Sequence, residues 1–85
     1  MAKFTYKMTD KEANLAFKKG FAGQGMGSVA ILKEKNNVFT LGSPMMTVTV
    51  TLKNGVCTTS SSLFGKAILN TVDTKIELIE GFVKE

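Results

Sequence analysis

Met45-Met46-Thr47-Val48-Thr49-Val50-Thr51-Leu52-Lys53-Asn54-Gly55-Val56-Cys57-Thr58-Thr59-Ser60 is the stretch that decides the fold. Asn-Gly is the strongest short hairpin signal, because a type I′ turn needs positive φ at both central positions. On both sides of it apolar and polar residues alternate, the pattern of a half-buried strand. Closing the chain on Asn54-Gly55 sets Leu52 opposite Cys57 and Val50 opposite Thr59.

Upstream, 38–42 and 28–35 read as two further strands, joined by Ser43-Pro44 and by Asn36-Asn37. Closure around Ser43-Pro44 pairs Leu41 with Met46 and Phe39 with Val48. Pro44 suits a two-residue turn badly, and a four-residue loop closed by Leu41 and Met46 keeps the same faces. Closure around Asn36-Asn37 pairs Leu32 with Leu41 and Glu34 with Phe39. All three registers then agree on one apolar face: Leu32, Phe39, Leu41, Met46, Val48, Val50, Leu52 and Cys57. A slip of one residue would turn every side chain to the other side, so the agreement predicts an antiparallel meander.

Residues 3–8 alternate as well, with Phe4, Tyr6 and Met8 on one face, which predicts a strand. Thr9-Asp10-Lys11-Glu12 is a capping box, Thr9 as N-cap and Glu12 at N3. The helix it opens is expected to reach about Lys19 and stop at Gly20, with Ala13, Ala16, Phe17 and Gly20 on its inner face and Leu15 pointing away. From Ser62 onward the period lengthens: Phe64, Ile68, Leu69, Val72, Ile76, Ile79 and Val83 share an arc opposite Lys66, Asn70, Asp73, Glu77, Glu80 and Lys84. This predicts a long amphipathic helix, although 74–83 would also suit a strand after a shorter helix. The expectation is one α+β domain over residues 1–85: a single five-stranded, mostly antiparallel sheet in the order β-α-β-β-β-β-α, with two helices packed on one face.

With 85 residues, 44% of them hydrophobic and 21% charged, the chain is globular. Eleven lysines against seven carboxylates give +4, a weak preference for anionic partners. There is no arginine, so bidentate recognition of guanine, phosphate or carboxylate is missing. One cysteine makes no intrachain disulfide. The first residues lack a signal peptide's continuous apolar region, and no stretch reaches the roughly 18 apolar residues of a span. The chain therefore reads as cytoplasmic, with no membrane among its partners.

The absence of histidine removes Ser-His and Cys-His catalysis and most zinc chemistry. Ser60, Ser61, Ser62 and Lys66 lie close enough for a Ser-Lys pair, but serines before a helix are ordinary N-cap residues. Cys57 falls on the core face, where a thiol is an inert hydrophobe. Asp73, Glu77 and Glu80 share one helical face, which reads as solvated rather than as a cation site. The glycine-dense segment 20–27 follows a helix and precedes a strand, the reverse of a phosphate cradle. Its Phe21 and Met26 must tuck under the sheet or meet a partner. No catalytic, cofactor-binding or metal residue is expected, and the chain reads as non-enzymatic.

What remains is the sheet face away from the helices. Strand alternation assigns to it Val29, Ile31, Val38, Met45 and Val56 among threonines, with Lys33, Lys35 and Lys53 as a polar rim. Clustered apolar side chains left in water mark an interface. The leading expectation is a small interaction module that self-associates, as a homodimer, through this face. Two alternatives stay open: a small apolar ligand held between the C-terminal helix and the sheet, and weak lysine-driven polyanion binding. Sequence-specific nucleic-acid recognition is disfavoured, because the strand aromatics point to the core and leave no rings for base stacking. The Thr47, Thr49, Thr51 ladder would also suit an ice surface, yet threonine is simply a good exposed-strand residue.

Overall fold

The computed structural model describes residues 2–23, 30–43 and 45–85. In chain order the elements are β1 (Lys3–Thr5), α1 (Asp10–Gly23), β2 (Ala30–Lys35), β3 (Val38–Gly42), β4 (Thr47–Lys53), β5 (Val56–Ser61), α2 (Lys66–Glu77) and β6 (Val83–Lys84). They form one sheet in the order β2-β3-β4-β5-β1-β6, antiparallel at every pairing. The α+β reading with one antiparallel sheet and two helices holds, but the sheet has six strands rather than five. Val83–Lys84 is the addition, pairing with Phe4 and Thr5 at the free edge of β1.

Both helices feed one core. Phe17 and Phe21 of α1 and Val72 and Ile76 of α2 are buried with Phe4, Phe39, Leu41, Val48, Val50 and Cys57. Phe17 lies between Phe21 and Phe39, its ring centroid 4.5 Å and 4.4 Å from theirs. Phe21 therefore tucks beneath the sheet, while Met26 lies outside the described residues.

The hairpin chemistry accounts for the central registers. Asn54 and Gly55 take φ of 50° and 82°, and Asn36 and Asn37 take 50° and 64°, the positive values a type I′ turn needs. Leu52 faces Cys57 and Val50 faces Thr59, as read from the sequence, and Glu34 faces Phe39. The β3–β4 hairpin slides by two residues from the expected register. Leu41 faces Val48 and Phe39 faces Val50, and the last pair before the connection is Gly42 with Thr47. Ser43 and Met46 exchange backbone hydrogen bonds of 3.0 and 3.1 Å across it. A shift of two keeps every side chain on its face; its effect is to push Met46 out of the core and into the loop, 38% exposed.

Helix α1 begins as its capping box dictates. The Glu12 amide donates to Thr9 Oγ1 (3.1 Å) and the Thr9 amide to Glu12 Oε1 (3.0 Å). It does not stop at Gly20 but continues to Gly23. Glycine is tolerated there because a Cβ on Gly20 would lie 2.7 Å from Ile79 Cγ1, so the helix needs the missing side chain to approach the end of α2. Helix α2 is shorter than expected at both ends. Gly65 precedes it, packed so tightly on the Thr47 carbonyl that no side chain fits. After Glu77 the chain turns through Gly81 (φ 97°) into β6. Neither reading of 74–83 is right as a whole: the first four residues are helix and only Val83 joins a strand.

Candidate functional site: the open face of the sheet

Strand registers arrange the face away from the helices in three rows. Lys33, Thr40, Thr49 and Ser60 lie side by side; next come Lys35, Val38, Thr51, Thr58 and Lys3; then Lys53, Val56, Thr5 and Val83. Among the described residues no element covers this face, and the segment after α2 extends the sheet at its edge instead. The valines at 38 and 56 are half-buried, and so are the threonines of β3 and β4.

Of the eight residues expected here, the structure gathers five. Val38, Val56, Lys33, Lys35 and Lys53 are on the face, the three lysines exposed and without an ion-pair partner among the described residues. Ile31 is a correction. A β-bulge between Ile31 and Lys33 puts Ile31 opposite Leu41, packed against the core. The same bulge turns Leu32 outward, 47% exposed, although its alternation placed it in the core. A bulge supplies one unpaired residue and so exchanges the faces of whatever precedes it. Met45 is also displaced: it is 75% exposed, in the β3–β4 loop rather than on a strand. Val29 lies outside the described residues.

The lysines have a structural use. β2 is an edge strand with no strand paired to its free side among the described residues, and Lys33, Lys35 and the bulge are the usual means of discouraging edge-to-edge pairing. On its inner side Glu34 is held by α1: Asn14 Nδ2 donates to it at 2.8 Å and Lys18 Nζ lies 3.1 Å away. These contacts hold its carboxyl below the usual range, the Asn14 bond first and Lys18 next. Lys33, Lys35, Asn36, Val38 and Thr40 line a shallow surface depression of about 360 Å³.

The remaining chemical candidates are occupied structurally. Burial, and then the Asp73 charge, push the Cys57 thiol up to about 12. Ser62 Oγ accepts from the amides of Thr47 (3.2 Å) and Gly65 (3.1 Å), fixing the turn before α2. Asp73 is not on the solvated face: it is half-buried and accepts from Thr59 Oγ1 at 2.8 Å, while Thr59 Oγ1 accepts from the Ala2 amide at 3.1 Å. Among the described residues, no three His, Cys, Asp or Glu side chains converge to hold a metal. Nor is any helix among them long and apolar enough to cross a membrane.

Sequence reasoning missed one surface feature. Leu63 and Phe64 are 76% and 62% exposed, in the turn before α2 rather than within it. The signal was Gly65, which the helical spacing of Phe64 outweighed.

No protein-family model matches the chain, and no curated protein or solved structure matches it significantly.

Proposed function

We propose that the chain is a non-enzymatic interaction module that self-associates through the open face of its sheet. The observation that supports this is the distribution of charge. The centre of the face, on β3, β4 and β5, is Val38, Thr40, Thr49, Thr51, Val56, Thr58 and Ser60, uncharged throughout. Lysines stand at its margin, at 33 and 35 on the outermost strand and at 53 beside the hairpin turn. Interfaces are depleted of charge at the centre and polar at the rim.

Magnitudes set the strength. Six strands about 4.8 Å apart, each rising about 3.4 Å per residue, give a face of roughly 500 Å² in projection. A stable interface buries about 800 Å² per partner. With Ile31 withdrawn into the core and hydroxyls replacing apolar side chains, association is weak and reversible.

Sedimentation equilibrium tests this. The wild-type average mass should rise above 9.2 kDa as concentration approaches about a millimolar. Val38→Lys with Val56→Lys should hold it at the monomer mass with cooperative unfolding intact. A wild type monomeric throughout that range sinks the proposal.

Lysine-driven polyanion binding is the second reading, favoured by the three lysines that lack an ion-pair partner among the described residues. Its signature is a salt dependence: three phosphate contacts give a log-log slope of about −3. An apolar ligand between α2 and the sheet has less support, since Val72 and Ile76 are packed at 0% exposure against strands equally buried.

A further inference from the structure

Asn54 is unlike the other asparagines of the chain. Among Asn14, Asn36, Asn37, Asn54 and Asn70 it alone precedes a glycine. It is exposed, and its carboxamide makes no hydrogen bond among the described residues. Asn14 and Asn37, by contrast, are bonded to each other, Nδ2 to Oδ1 at 2.7 Å. Glycine has no Cβ to shield its peptide nitrogen, so that nitrogen can close on the carboxamide carbon of the residue before it. Asparagine is thermolabile through this ring closure.

The same nitrogen is held from outside the hairpin. The Gly55 amide donates to Asp10 Oδ1 at 3.4 Å, and the Asn54 amide to Asp10 Oδ2 at 3.0 Å. The Gly55 carbonyl accepts from the Tyr6 amide at 2.9 Å. Gly55 is thus bonded through both its N–H and its C=O. Ring closure needs the opposite: the nitrogen must give up its proton and swing toward the Asn54 side chain. A carboxylate on that N–H opposes both, by accepting from the proton and by repelling the anion left behind.

We propose that Asn54 is a site of spontaneous deamidation gated by Asp10, the reaction proceeding when the first turn of α1 releases the hairpin. The Gly55 nitrogen loses its proton to hydroxide and bonds to Asn54 Cγ. The Cγ–Nδ2 bond breaks, and the side-chain nitrogen takes up a proton and leaves as ammonia. Water then opens the five-membered imide at either carbonyl, leaving aspartate or isoaspartate. Aspartate places a second carboxylate beside Asp10, and like charges repel. Isoaspartate inserts a further backbone carbon into the two-residue turn that closes the Lys53–Val56 pair. Either product loosens the contact that restrained the reaction, so the change runs one way.

Ageing in mildly alkaline buffer at body temperature, followed by mass spectrometry of the peptides, tests it. A gain of one mass unit should collect at Asn54 ahead of the other four asparagines. The folded wild type should react at least about tenfold more slowly than the same chain in urea, because only locally opened molecules react. Asp10→Ala should speed the folded chain about fivefold, the factor that one net hydrogen bond represents. Ile76→Val weakens the core by a comparable amount without touching the turn, and should leave the rate unchanged. Modification spread evenly over the asparagines, or a folded wild type as fast as the chain in urea, overturns the proposal. So does an unaltered rate in Asp10→Ala, or an equal acceleration by Ile76→Val, which would make global unfolding the gate.

Discussion

The Asp10 carboxylate reaches the backbone of Asn54, forty-four residues on, and accepts from its amide at 3.0 Å. The same carboxylate accepts from the Gly55 amide at 3.4 Å and from the Tyr6 hydroxyl at 2.6 Å. Tyr6 in turn donates its backbone amide to the Gly55 carbonyl at 2.9 Å. The first turn of α1 thereby clamps the central hairpin to the end of β1.

This clamp makes stability depend on pH at both extremes. The Tyr6 hydrogen bond, and then the Asn54 amide, hold the Asp10 carboxyl below its usual value. Glu12 is lowered by the Thr9 amide and Glu34 by Asn14. A depressed carboxylate contributes stability that is present above its unfolded pKa and lost as pH falls through the folded one. The urea midpoint should hold steady above about pH 5 and fall below about pH 4. Asp10→Asn should flatten part of that fall. Tyr6 runs the other way: burial, then Asp10, raises its pKa well above the ordinary value. The stabilising contribution of its protonated form should therefore be lost as pH climbs beyond about 10. A midpoint unchanged from pH 7 to pH 3 refutes the account.

Phe39 is completely buried, and its ring lies against Phe17. Phe39→Ala should cost about 3–5 kcal/mol, most of the stability a domain this small possesses. Unchanged thermal unfolding in that variant would contradict the register.

Gly20 sets two effects against each other. Alanine is the better helix former by about 1 kcal/mol, yet its Cβ would sit 2.7 Å from Ile79 Cγ1. Overpacking costs about 1–3 kcal/mol, so Gly20→Ala should destabilise on balance. Combining it with Ile79→Ala should cost less than the two single changes added together, and strict additivity in the cycle would show that the contact is unimportant.

The bulge in β2 reverses the expected tolerance of two neighbours. Leu32→Lys should leave unfolding nearly unchanged, whereas Ile31→Lys should destabilise by burying a charge near Leu41. The opposite ranking in denaturant melts would restore the unbulged register.

Cys57 is buried, and burial lifts its pKa to about 12. At pH 7 only roughly one thiol in 10⁵ is ionised, so a thiol reagent should label the native protein slowly and the denatured protein fast. Rapid native labelling would reopen a redox role.

What could be read in the sequence was carried by turn chemistry. Asn54-Gly55 and Asn36-Asn37 fix φ locally, so the strands beside them fall into register before any tertiary contact is known. What could not be read depended on distant neighbours. Nothing in Ala30-Ile31-Leu32, an unbroken apolar run, says which residue is the unpaired one. Gly20 looks like a stop until Ile79 is seen against it. Phe64 fits the helical period, and only the Thr47 carbonyl packed on Gly65 excludes it from α2. The open face was legible in its lysines and in Val38 and Val56, while its apolar content was overstated by the two residues that bulge and loop carry away.

β1 lies between β5 and β6, with Phe4 opposite both Cys57 and Lys84. During synthesis β1 therefore leaves the ribosome well before either of its neighbours exists. The β2–β5 meander closes through short loops and can form while translation continues, but the sheet is finished only by contacts that span nearly the whole chain. In that interval Phe4 and Tyr6 remain bare on a nascent chain whose partner strands are missing. A chain halted before residue 83 leaves one side of β1 unpaired for good, and one halted before residue 56 leaves it no partner at all.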